Sequence, residues 1–75
     1  MTELQAIRER RRLSEVEVAA KSNLSPQQIR NFENPNYAGA ARMNTRLALA
    51  SALGIRWTTI FDFYGRPKPA KVRAR

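Results

Sequence analysis

Residues 15–34 read EVEVAAKSNLSPQQIRNFEN, and the punctuation of this stretch predicts two short helices joined by a tight turn. Ser14, followed three residues later by Glu17, makes a capping box: the hydroxyl accepts an orphan backbone N–H and the carboxylate reaches back to the cap. The same grammar repeats at Ser25, with Pro26 in the first helical position, where no N–H is needed, and Gln28 closing the box. Leu13 with Val18, and Leu24 with Ile29, are placed as hydrophobic staples across the two helix starts. Asn23, between the helices, is the commonest non-glycine choice for a left-handed backbone.

The two faces separate by spacing. Val18, Ala19, Leu24, Ile29 and Phe32 fall on one side as core, with Ala19 small where two helices cross closely. Gln27, Arg30, Asn31 and Asn34 recur at three- and four-residue intervals and share the other side. A surface helix ordinarily carries Lys and Glu. A row of amides and a guanidinium instead suits the major groove of DNA, where Gln or Asn grips adenine and Arg grips guanine. The plain alternative is a solvated polar face.

These residues, taken in order, resemble the helix-turn-helix of Cro/repressor-type (XRE-like) DNA-binding proteins. The resemblance rests on Leu13-Ser14-Glu15, Val18-Ala19, Leu24-Ser25, Ile29 and Phe32-Glu33-Asn34. A second match, Leu47 with Ala50-Ser51-Ala52-Leu53-Gly54-Ile55, falls at the spacing of the family's fourth helix. Together they span about residues 4 to 61. The resemblance implies an all-α, compact five-helix lambda-repressor-like domain whose third helix, here residues 25–33, enters the major groove. It also implies an Arg8–Glu33 ion pair tying the first helix to the end of the third. The implied source is bacterial, phage or plasmid, and the implied location cytoplasmic.

The bounds set by the whole chain agree. Seventy-five residues allow one domain. A chain of this size buries only about 60% of its unfolded surface, so the core is small. With no cysteine and no histidine, disulfides and the usual zinc sites are excluded, and neither a metal nor a cofactor is expected. No apolar run approaches transmembrane length. The net charge is +8, of which Arg66, Lys68, Lys71, Arg73 and Arg75 supply +5, leaving +3 for the body. A basic body with a more basic tail favours a polyanion, and nucleic acid over membrane, because Val72 is the tail's only apolar anchor and two prolines oppose an amphipathic helix.

The flanks extend the pattern. A first helix is predicted over residues 3–12, capped by Thr2, with Leu4, Ile7 and the stem of Arg11 facing inward. Pro35 ends the third helix, and residues 35–44 form a loop in which Tyr37 either donates to phosphate or packs its ring over the core edge. Asn44 is placed as the cap of a fourth helix running to Leu53, with Leu47, Ala50 and Leu53 as its apolar stripe, Leu49 at the flank and Gly54 as its left-handed exit. Arg46 in its first turn opposes the helix dipole and is read as facing phosphate or solvent. A fifth helix is predicted over residues 56–64. There Trp57, Ile60, Phe61 and Tyr64 recur on one side and either close the core or form a homodimer seam, with Phe63 outside the stripe as exposed aromatic surface; Trp57, Phe61, Phe63 and Tyr64 are the candidate dimer contacts. The domain is placed at residues 1–65 and a disordered, extended basic tail at 66–75, following the DNA backbone or entering a minor groove.

Departures from the family pattern narrow the candidate site. Glu15 stands where relatives carry glutamine near a phosphate. Ser22 replaces an apolar residue. Pro26 touches a thymine methyl but cannot donate, and Gln28 is committed to its capping box. Gln27 and Asn31 remain the best base readers, with Arg30 for base or phosphate. Phosphate contacts are assigned to Ser25, Asn34, Tyr37, Arg42, Lys68, Lys71 and Arg73. Catalysis is not expected: no histidine serves as a base, no glycine-rich phosphate loop is present, and Glu15 and Glu17 do not share a helical face. The expected function is a small Cro-like transcriptional regulator of double-stranded DNA, without a small-molecule substrate. The alternatives are a protein-interaction module of antitoxin or anti-regulator type, and a DNA-bending recombination accessory protein.

Overall fold

The first three helices of this protein begin where side chains supply the acceptors that a first turn lacks. The computed structural model describes residues 1–70, which form α1 (Glu3–Arg10), α2 (Glu15–Ser22), α3 (Pro26–Glu33), α4 (Met43–Leu53) and α5 (Trp57–Ile60). Thr2 caps α1, its hydroxyl accepting from the Gln5 N–H at 3.3 Å while donating to the Glu33 carbonyl at 3.1 Å. Both expected capping boxes form: Ser14 with Glu17 starts α2, and Ser25 with Gln28 starts α3. Asn23 takes the left-handed conformation, φ 59°, and Gly54 does the same, φ 65°, at the end of α4.

The chain is all-α among its described residues, with a Cα radius of gyration of 11.2 Å. α2 packs against α3 and α4, α1 against α3 and α5, and α4 against α5. Leu4, Ile7, Val18, Ala19, Ile29, Phe32, Ala41, Leu49, Leu53, Ile60 and Phe61 form the buried core. The Phe61 ring meets Phe32 edge-on with centroids 5.6 Å apart, and Phe32 meets Tyr37 in the same way. Fully burying a phenylalanine stabilises a fold by about 1.5–3 kcal/mol, so Phe61 is a principal plug of this small core. Ser22, placed where an apolar residue was expected, is buried without an orphaned polar atom. Its hydroxyl donates back to the Val18 carbonyl at 2.7 Å.

Four expectations are corrected. α1 stops at Arg10, and Arg11 is exposed, its guanidinium reaching across to donate to the Leu53 carbonyl at the end of α4. α4 begins at Met43, so Asn44 lies inside its first turn and no side chain caps it. Leu47 is 50% exposed while Leu49 is fully buried, because Ala and Leu surround α4 on every side and leave the sequence no distinct stripe to read. α5 is a single turn, after which the chain runs extended.

A fifth correction is the most consequential. The domain does not end at residue 65. Residues 66–70 lie as a strap across the N-terminus, with isolated antiparallel bridges pairing Phe61 with Pro67 and Thr2 with Pro69. The Lys68 N–H donates to Ile60, the Glu3 N–H to Lys68, and the Ala70 N–H to Met1, at 2.9–3.0 Å. Gly65 makes the corner into this strap. Its φ is +82°, and an added Cβ would collide with the Ala41 carbonyl and the Arg46 guanidinium. Lys71 and Arg73, assigned to the tail, lie outside the described residues.

Candidate nucleic-acid interface

The α2–turn–α3 unit is oriented by its buried side. Ile29, Phe32 and Glu33 face inward, which leaves Gln27, Gln28 and Arg30 exposed and Asn31 half-buried. The face expected to read bases is therefore open. Its polar groups are already linked. Arg30 Nη1 donates to Glu15 Oε1 at 3.4 Å, Arg30 Nη2 donates to Gln27 Oε1 at 3.1 Å, and Gln27 Nε2 donates to Asn31 Oδ1 at 3.0 Å. This chain runs from the first turn of α2 along the outer edge of α3. It holds each head group in one orientation while leaving the Asn31 amide N–H groups and the second Gln27 N–H for an incoming acceptor. Exchanging such surface bonds for bonds to a base edge is inexpensive, since each contributes only about 1 kcal/mol net.

Gln28 is held in its capping box, Oε1 accepting from the Ser25 N–H at 3.0 Å, and only its amide N–H groups remain for other partners. Pro26 is half-buried at the start of α3, and the exposed Ser25 hydroxyl accepts from the Gln28 N–H at 3.2 Å, leaving its own proton to donate outward. In the other box, backbone and side-chain hydrogen bonding at Ser14 holds the exposed Glu17 carboxyl below the ordinary glutamate range.

Behind this face lies the ion pair. Arg8 Nε is 2.5 Å from Glu33 Oε2 and Nη2 is 3.0 Å from Oε1, a two-pronged fork, while Nη1 donates to the Leu13 carbonyl at 2.9 Å. The hydrogen bond to Glu33 raises the Arg8 pKa above the ordinary arginine value, with burial opposing it. Arg8 thus turns inward and locks α1 to the end of α3 and to the loop before α2.

The remaining candidates separate. Arg42 is exposed at the start of α4, and Asn34 is exposed with its Oδ1 accepting from the Asn36 N–H at 2.9 Å. Tyr37 follows the packing reading: its ring stands edge-on to Phe32 and covers Gly39 so closely that a Cβ there would strike it. Arg46 is half-buried and not free in solvent. It donates to the Ala41 carbonyl at 2.8 Å and stacks 5.1 Å over the Trp57 ring. Phe61, one of the four candidate dimer contacts, is fully buried and is withdrawn from that set. Trp57 is half-buried under Arg46, whereas Phe63 and Tyr64 are each 82% exposed. Lys68 sits on the strap, its backbone bonded to Glu3 and Ile60.

Two features had no sequence signal strong enough to announce them. The Glu15–Arg30 contact joins residues on different helices whose facing depends on the crossing of α2 and α3. The strap is hinted at only by the Pro67 and Pro69 spacing, which favours extended backbone without saying what it lies against. No family model, curated protein or solved structure matches this chain.

Proposed function

We propose that this protein is a small sequence-specific regulator of double-stranded DNA, a Cro-like repressor, with α2 and α3 acting as a helix-turn-helix in a five-helix lambda-repressor-like arrangement. The observation that carries this reading is the ordered Arg30–Gln27–Asn31 row on the open face of α3. In this reading α3 lies in the major groove. Gln27 and Asn31 grip adenine edges, and Arg30 reaches a guanine or the adjoining phosphate. Ser25 and Arg42 position the domain on the backbone and supply the salt-dependent part of affinity. Glu15, beside the phosphates, lowers affinity for every sequence alike.

Selection of bound duplexes from a random pool tests the proposal directly. A short enriched motif, held more tightly than scrambled DNA at physiological salt, is the expected result. Recovery of unbiased sequence would remove the regulator reading. It would favour a protein-interaction module, for which the two exposed aromatic rings Phe63 and Tyr64 are the supporting observation.

A further inference from the structure

A depression of about 480 Å³ opens between α1, the α4–α5 junction and the strap. None of the residues lining it belongs to α2, α3 or the loop that follows α3. Four cations from three separate parts of the chain converge on it: Arg10 and Arg11 from the end of α1, Arg56 before α5, and Lys68 from the strap. Among the described residues none of the four is within ion-pair distance of a carboxylate. Arg11 is set in place by donating to the Leu53 carbonyl. The one acid in the lining, Glu3, is buried, being 7% exposed.

Bringing four cations together with no carboxylate at ion-pair distance among the described residues is unfavourable, and an anion with several oxygens relieves it. The donor set is suited to phosphate. Arginine forks match its oxygens two at a time, lysine adds a point charge, and the hydroxyls of Thr58 and Thr59 supply neutral donors. Ile7 and Ile55 complete the lining with apolar surface. The volume falls within the range of small-ligand sites, roughly 300–1,000 Å³. A concave site of that size, apolar in part, accommodates a compact molecule better than the rod of a duplex.

We propose that this depression binds a small molecule bearing linked phosphates, at a site separate from the polar face of α3. Lys68 is part of it only because the strap is docked, so occupancy also ties residues 66–70 to α1. The proposal does not depend on the DNA reading.

Calorimetric titration of the full chain with sodium tripolyphosphate, and separately with ADP, tests it. The decisive comparison is between two variants of equal charge loss, Arg56→Gln/Lys68→Gln in the depression and Arg30→Gln/Arg42→Gln outside it. Lys68→Gln keeps the backbone bonds of the strap. Saturable one-to-one binding is expected, weakened about tenfold or more by the first pair through loss of charge-assisted contacts. The second pair should change it by no more than about twofold, through screened long-range charge alone. Equal weakening by both pairs, or no saturable binding, overturns the proposal. So does a depression variant that loses duplex DNA affinity while binding tripolyphosphate as before. If the first pair fails to fold, amide shift mapping on the unaltered chain decides. Shifts centred on residues 7–11, 55–59 and 68 support the site, and shifts centred on 25–31 overturn it.

Discussion

Arg8 and Glu33 meet as a two-pronged fork, with Nε 2.5 Å and Nη2 3.0 Å from the two carboxylate oxygens and side-chain exposures of 12% and 6%. At that burial the pair is unlike a surface bridge, which contributes at most about 1 kcal/mol. Together with Thr2, whose hydroxyl donates to the Glu33 carbonyl, it fixes the far end of α3 to α1. The exposed polar face of α3 is therefore positioned by contacts made on the opposite side of its own helix.

Replacing Arg8 with methionine leaves a buried carboxylate without its partner. The expected loss is about 3 kcal/mol or more, read from the urea midpoint, while the Arg8→Met/Glu33→Leu double variant recovers most of it. A loss below about 1 kcal/mol for the single variant would mean that water already solvates Glu33.

The strap makes a matching prediction for truncation. Ending the chain after Gly65 removes the backbone bonds that Arg66, Lys68 and Ala70 make with Asp62, Ile60, Glu3 and Met1. Ending it after Ala70 keeps them. At about 1 kcal/mol net per bond, the shorter chain should be roughly 2–4 kcal/mol less stable than the longer one. Thermal melts of the two side by side measure the difference. Coincident melting curves would show that residues 66–70 add nothing to the domain.

Acid should loosen the start of α2. The Glu17 carboxyl is held below the ordinary glutamate range by its bonds at Ser14, so near that range the unfolded chain binds the proton that the folded chain refuses. Its contribution is whole above about pH 4.3 and is lost as the pH falls through the lower folded value. The stability gap between the native chain and Glu17→Gln should accordingly narrow on acidification. Melting temperatures followed from neutral pH into strong acid check this, and a gap that stays constant would detach the effect from the carboxylate.

On the α3 face, Asn31→Ala should weaken binding to a selected duplex by about 1–3 kcal/mol and leave scrambled DNA nearly unaffected. Fluorescence anisotropy with both duplexes gives the ratio. Equal losses on the two would assign Asn31 to the backbone and not to the bases.

Glu15→Gln works in the opposite direction. Removing this charge releases Arg30 and, in the proposed docking, takes an anion away from the phosphates, so affinity should rise for selected and scrambled duplexes together. The effect should fade as salt increases. An unchanged or lower affinity at low salt would place Glu15 away from the nucleic acid.

What the sequence by itself determined is local. Ser14 with Glu17, Ser25 with Gln28, the left-handed Asn23 and Gly54, and the inward Val18, Ile29 and Phe32 were all legible. Each depends on neighbours within about one helical turn, where side-chain spacing and backbone geometry are coupled directly. The exposure of Gln27 and Arg30 follows from the same periodicity. The tertiary structure alone decided the rest. It placed Leu49 inside and Leu47 outside on a helix with no single apolar stripe, and it turned Arg46 onto Trp57. It also drew residues 66–70 back over Thr2 and gathered Arg10, Arg56 and Lys68 around one depression. These arrangements join segments distant in sequence, and no residue pattern within either segment records which partner lies opposite. The contact is selected only when the whole core closes and every backbone group left at its edge must find a hydrogen-bonding partner.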